Sequence, residues 1–234
     1  MPQLTRGILI AIEGIDGSGK STLARCIALL EPADSGEILF EGKNLTKLGE
    51  VELRTLRPKF QYVFQDAAAA LNPRLSAAET VAEPLVIQKR GTREERKNRV
   101  ATLLEQTGLD PAVAYRSCHE FSGGQKQRLV IARALALEPS LLIFDESLSG
   151  LDPETRDEIL DLLVSLRRKL GITQLLISHD LEFVSRFADN VAVMHDGKIV
   201  QQLNSADMLS TGRIRPEQLV NGCNQNHFAL TEAK

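Results

Sequence analysis

The sequence has no tryptophan, 4% aromatic residues and only three cysteines among 234 residues. Cys26, Cys118 and Cys223 are odd in number, far apart and never spaced C-x-x-C, so neither a disulfide framework nor a cysteine zinc site is supported. They read as plain thiols in a reducing compartment. Positive charge in excess is also missing. The formal net charge is -3, so the basic face that grips a phosphate backbone non-specifically is not expected, and no nucleic-acid partner is either. No stretch approaches the roughly 18 to 20 apolar residues that span a bilayer. Residues 1–6 are too short and polar for a secretory signal. The expected location is the cytoplasm, with a membrane reached only through another protein. Repeats and low-complexity segments are absent. What remains, 43% hydrophobic and 25% charged residues, suits a globular domain that buries its own core.

Strand-like runs alternate with helical stretches. Residues 8–13 form a β-branched apolar run that ends in a glycine-rich turn, and residues 21–30 follow with apolar residues at helical spacing. Residues 37–40 and 59–64 read as strands of a small β patch. The segment 76–107 turns helical, and its charged stretch 90–99 reads as a solvated helical face. Residues 141–144 are uniformly apolar and end at Asp145, the pattern of a buried parallel strand. Residues 174–178 repeat it and end at His179. The amphipathic stretch 153–170 lies between them, so strand, helix and strand form the crossover of a parallel sheet. Asp196-Gly197, between two apolar runs, signals a hairpin. The tail, about 204–234, becomes polar and aperiodic and suggests no element. One α/β domain over 1–234 with a helical insertion is the simplest organisation.

The chemistry begins in the first loop. Gly14-Ile15-Asp16-Gly17-Ser18-Gly19-Lys20-Ser21 fits G-x-x-x-x-G-K-[ST] between a strand and a helix, the context a P-loop requires. Glycines let the chain curl until successive N–H groups face phosphate oxygens, and the helix start adds its dipole. In this reading Lys20 bridges the terminal phosphates of a nucleotide and the Ser21 hydroxyl ligates Mg2+. An acidic pole must face the metal from the other side. Asp145 at the tip of its strand supplies it, and Glu146 is placed to polarise the attacking water. A second glycine-rich string, Ser122-Gly123-Gly124-Gln125, also opens a helix and offers free N–H groups. Two anion-suited helix starts in one chain make sense when two surfaces share phosphates.

At this point the sequence resembles the nucleotide-binding subunits of ATP-binding cassette proteins, with five further elements following the P-loop in order. The P-loop reaches Thr22. Gln65 looks like the Q-loop glutamine, and Ser122, Gly123, Gly124 and Gln125 resemble the signature motif. Residues 141–146 resemble Walker B, residues 149–152 with Asp152 the D-loop, and His179 the switch histidine. Val63-Phe64-Gln65-Asp66, Leu71-Asn72-Pro73-Arg74 and Ala82-Glu83-Pro84-Leu85 look like the oligopeptide, dipeptide and nickel importer group. The resemblance spans about residues 7–203.

It implies a P-loop NTPase fold with a mostly parallel central sheet, a small antiparallel patch, a shortened N-terminal β segment and a helical subdomain over about 72–125. Two cassettes, alike or different, would pair head to tail, each ATP lying between one P-loop and the other signature. Membrane subunits would dock on the helical subdomain, leaving the chain peripheral on the cytoplasmic face. Glu146, His179 and Gln65 would be catalytic. Ser21, Gln65 and Asp145 would serve the metal, and Asp152 would join the P-loop and signature residues at ATP.

Three features depart from the family pattern. No aromatic residue precedes the P-loop, Phe40 being the first, so weak discrimination between ATP and GTP is expected. Asp16 replaces a small polar residue, and residues 13–17 look more like a thymidylate kinase P-loop. Ser147 stands where proline is usual. The alternatives are a soluble cassette ATPase uncoupled from transport, a nucleoside monophosphate kinase and a non-hydrolysing nucleotide binder.

Overall fold

A computed structural model describes residues 8–14, 17–69, 71–179 and 187–204. Asp16, Cys223 and the expectations placed on the tail lie outside the described residues. In chain order the elements are β1 (Leu9–Glu13), α1 (Lys20–Ile27), β2 (Leu39–Phe40), β3 (Lys43–Asn44), α2 (Glu50–Leu56), β4 (Phe60–Val63), α3 (Ala77–Ile87) and α4 (Arg93–Gln106). Then come α5 (Gly123–Leu135), β5 (Leu141–Asp145), α6 (Pro153–Leu170), β6 (Thr173–Ser178), β7 (Asn190–His195) and β8 (Lys198–Asn204). The central sheet is mostly parallel, and β2 with β3 forms a separate antiparallel pair.

The chain divides into two compact units. One comprises Met1–Leu9 with Lys59–Leu176. Here β4, expected with residues 37–40 in a small β patch, instead lies parallel to β5 in the central sheet, in a register running from Phe60 opposite Leu141 to Val63 opposite Phe144. All five residues of β5 are buried, which accounts for its unbroken apolar run: a strand covered on both faces has no polar side to present. Helices α3, α4 and α5 pack on one another, with Val81, Leu103, Leu104, Leu129 and Ile131 fully enclosed. In α6, Ile159, Leu160, Leu163 and Leu166 are buried at helical spacing, and Gly171, at φ 68°, ends the helix in the left-handed conformation.

The charged stretch 90–99 is not wholly a solvated face. Arg90 donates to Leu137 O at 3.2 Å and Arg99 to Leu135 O at 3.2 Å, so two guanidinium groups satisfy carbonyls at the end of α5.

The other unit comprises Ile10–Pro58 and Ile177–Lys234. Here β1 runs parallel to β7, with Ile10 opposite Asn190 and Glu13 opposite Val193. β7 and β8 form the expected hairpin through Asp196 (φ 46°) and Gly197 (φ 74°). The short helix α2 has no counterpart in the sequence reading, and β2 spans only two residues of the longer strand expected there.

Candidate functional site

The P-loop residues that are described sit between β1 and α1 against the β7–β8 hairpin. A Cβ on Gly14 would lie 2.3 Å from Met194 O, so only glycine lets the loop leave β1 this close to β7. Gly197 N donates to Ser18 O at 3.0 Å, and the loop is pinned to the hairpin turn by that bond. Gly17 and Gly19 take φ values of 81° and 91°, which L side chains rarely adopt. Lys20 is 3% exposed and donates through Nζ to Gly14 O across the loop. Ser18 is equally buried, yet its Oγ has no hydrogen-bond partner. An orphaned buried hydroxyl inside a ring of curled backbone fits an anion that is oxygen-rich and dehydrated on binding. Ser21 is half-buried in the first turn of α1, and Thr22 is exposed.

Helix α1 begins without any side-chain cap and without an acidic residue in its first turn. That is unusual here. Glu52, Glu79, Glu95 and Asp152 each accept a backbone N–H at the starts of α2, α3, α4 and α6. Among the described α-helices only α1 and α5 carry no acid in the first turn. These are the two helix starts that the glycine-rich strings mark, and an acid at either would repel an anion.

The start of α5 differs in its capping. Ser122 Oγ accepts from Gln125 N at 3.3 Å, and Gln125 Oε1 accepts from Ser122 N at 3.1 Å, a reciprocal box. Ser122 is exposed, and its hydroxyl proton is not consumed by accepting a bond. Gly124 lies against the start of α6, where a Cβ would meet the Thr155 Cγ2 methyl at 2.6 Å. Asp152 caps α6 by accepting from Thr155 N at 3.0 Å, and this bond holds its carboxyl below the usual carboxylate range. Arg128 of α5 ties the same two helices through Glu158 at 2.9 Å.

At the end of β5, Asp145 is 4% exposed and Tyr62 of the neighbouring β4 donates its phenol to Asp145 Oδ2 at 2.6 Å. Glu146 follows with φ 47°, a left-handed conformation uncommon for a glutamate. Ser149 holds it there, donating both N (3.2 Å) and Oγ (2.8 Å) to Glu146 O. The Ser147 hydroxyl is buried without a partner. Gln65 is exposed in the turn after β4, beside Phe64, whose ring centroid lies 4.6 Å from that of Tyr62. His179 is exposed immediately after β6.

Each unit therefore gathers part of the expected set. Gly14, Gly17, Ser18, Gly19, Lys20, Ser21, Thr22 and His179 belong to one. Gln65, Ser122, Gly123, Gly124, Gln125, Asp145, Glu146 and Asp152 belong to the other. Tyr62 was not legible beforehand. Its only signal is the register of two strands 83 residues apart.

The donors proposed for the metal, a hydroxyl, a carboxylate and an amide, are hard oxygen groups that suit Mg2+. Among the described residues no group of three or more His, Cys, Asp or Glu could hold a metal ion. Nor is any described helix long and apolar enough to cross a membrane.

Residues 2–149 match the ABC transporter family model. A Brucella ovis protein, whose name describes a peptide import ATP-binding protein, is 42% identical over 205 residues, 88% of this chain. The chain spans 65% of that relative's length. The glutathione import ATP-binding protein GsiA of Salmonella paratyphi A is 45% identical over 83% of this chain and 31% of its own. Among solved structures, cbiO1 from Clostridium perfringens, part of the ABC transporter complex cbiONQ, is 34% identical with a TM-score of 0.81, covering 88% of this chain and 80% of that one. A dimeric post-hydrolysis state of the ATP-binding cassette MJ0796 bound to ADP and Pi is 33% identical with a TM-score of 0.74, covering 86% of each chain. The family model covers more than half of the chain, and the chain belongs to the ABC transporter family.

Proposed function

We propose that the chain hydrolyses ATP to ADP and phosphate as one cassette of a head-to-tail pair, and that it drives import of peptide-like substrates through integral membrane subunits. The observation that carries this reading is the pair of helix starts without first-turn acids, one beside an orphaned buried Ser18 hydroxyl and one exposed at the surface. A single nucleotide in one chain needs the first. The second is explained when it meets a phosphate held by another cassette. The importer assignment rests on the names of the relatives, a peptide import protein and a glutathione import protein. The pairing is supported by the dimeric cassette among the solved structures.

In the proposed reaction the N–H groups of Gly17, Ser18, Gly19 and Lys20 hold phosphate oxygens, and the Lys20 ammonium exchanges its bond to Gly14 O for the terminal phosphates. Asp16, outside the described residues, is assigned to the ATP site by the motif alone. Ser21, Asp145 and Gln65 would hold Mg2+, which neutralises charge on the phosphate oxygens. Glu146, already fixed by Ser149, accepts a hydrogen bond from the attacking water. His179 donates to the γ-phosphate, and Ser122, Gly123, Gly124 and Gln125 close the site from the partner cassette. Asp152 keeps α6 capped beside that helix start. Residues 72–125, the helical subdomain, would meet the membrane subunits, placing the chain on the cytoplasmic face.

The test is phosphate release by the purified chain with and without a nucleoside monophosphate acceptor. The proposal expects release that does not depend on the acceptor and that copurified membrane subunits stimulate. Phosphoryl transfer to the monophosphate in place of release to water would assign the chain to the kinases instead.

A further inference from the structure

We infer that Tyr62 is a positioning residue for the metal, acting through Asp145. This rests on the reading above that Asp145 serves the magnesium of MgATP. Asp145 ends a strand buried along its whole length, so its carboxylate leaves water almost completely and its orientation must be set by protein groups. Tyr62 supplies one. Its phenol O–H donates to Oδ2 at 2.6 Å, the short distance typical of a hydroxyl bonding a carboxylate. The phenol reaches Asp145 because β4 and β5 are parallel neighbours with Tyr62 opposite Ile143, two residues before the aspartate. The tyrosine ring is in turn braced against Phe64, the residue preceding Gln65.

A carboxylate that accepts a directional bond on one oxygen is held in a single rotamer. A partner that orients a metal-side ligand in this way typically contributes 10- to 100-fold in metal affinity or activity. Val63, Phe64 and Gln65 follow Tyr62 in the chain. One short segment, Tyr62 to Gln65, thus braces the aspartate and carries the glutamine assigned to the same ion.

The experiment is Tyr62→Phe in the full chain, which keeps the ring and its packing on Phe64 and deletes only the hydroxyl. Mn2+ binding in the presence of AMP-PNP, read by electron paramagnetic resonance, is compared with binding of AMP-PNP in EDTA. The expected result is Mn2+ affinity weakened about 10- to 100-fold, with metal-free AMP-PNP binding unchanged. Half-maximal turnover should need correspondingly more Mg2+. Mn2+ affinity within about twofold of the parent would overturn the inference, as would an equal loss of metal-free binding, which marks a general structural role. Asp145→Asn separates the two claims. If it weakens Mn2+ binding while Tyr62→Phe does not, only the role of Tyr62 fails. If neither weakens it, the assignment of Asp145 to the metal fails as well.

Discussion

The two glycine-rich helix starts solve the same electrostatic problem differently. Both α1 and α5 exclude acids from their first turns. α1 starts at Gly19, which has no side chain to cap with, and the neighbouring Ser18 hydroxyl is buried without a partner. An anion at this start would give that buried hydroxyl the partner it lacks. α5 is capped by its own Ser122 and Gln125 and stands complete on the surface. The first start is built to hold a ligand, while the second is stable alone and can engage and release one.

The largest effect sharpening this contrast is expected at neither helix start but at the water. Glu146→Gln keeps shape and hydrogen bonding while losing the negative charge, and hydrolysis should fall about 10²- to 10⁴-fold with ATP binding retained. Turnover and equilibrium binding on the same preparation check it. Next in size, Ser122→Arg should lower hydrolysis roughly 10²-fold, the scale on which one preorganised donor acts. Monomer affinity for ATP, held by α1, should stay within twofold, about the error of a titration. A large loss of monomer binding would erase the distinction between the two starts.

Stability effects come third. Gly124→Ala places a Cβ where the Thr155 methyl already lies and should cost about 1 to 3 kcal/mol by overpacking. Thr155→Ser removes that methyl and should recover most of the loss in a double-mutant cycle of denaturant melts.

Acid pH separates the helices further. Bonds from the N–H groups of Ser76, Thr92 and Thr155 hold the carboxyls of Glu79, Glu95 and Asp152 below their ordinary values. A depressed folded value means that their stabilisation is complete above the ordinary range, about 4, and is lost as pH falls through the folded values. The starts of α3, α4 and α6 should therefore lose hydrogen-exchange protection in acid. The start of α5, capped by a serine and a glutamine, should not. The smallest effect is Ser147→Ala, which removes a buried unpartnered hydroxyl and should change stability by about 1 kcal/mol or less, in the stabilising direction.

Most of the fold was legible because its signals are local. The 141–144 run reads as buried since no residue in it is polar, and Asp196-Gly197 names its own turn. The 153–170 stretch was bounded correctly because Asp152, Pro153 and Gly171 mark both ends. α2 escaped because it is short, largely exposed and begins at a glycine. The side chains of Arg90 and Arg99 looked solvated since nothing local shows that α5 ends beneath them. The site divides the same way. Its glycine strings and acids are sequence motifs, whereas the Tyr62–Asp145 bond and the Gly124–Thr155 contact exist only through tertiary register.

The central claim is that ATP bound to one chain's α1 is closed over by another chain's α5. Sedimentation of Glu146→Gln with ATP tests it most directly, alongside the double variant Ser122→Arg with Glu146→Gln. The account predicts an ATP-dependent dimer for the single variant. For the double variant it predicts a monomer that still binds one ATP. A dimer that persists in the double variant, or a double variant that no longer binds ATP, would contradict it.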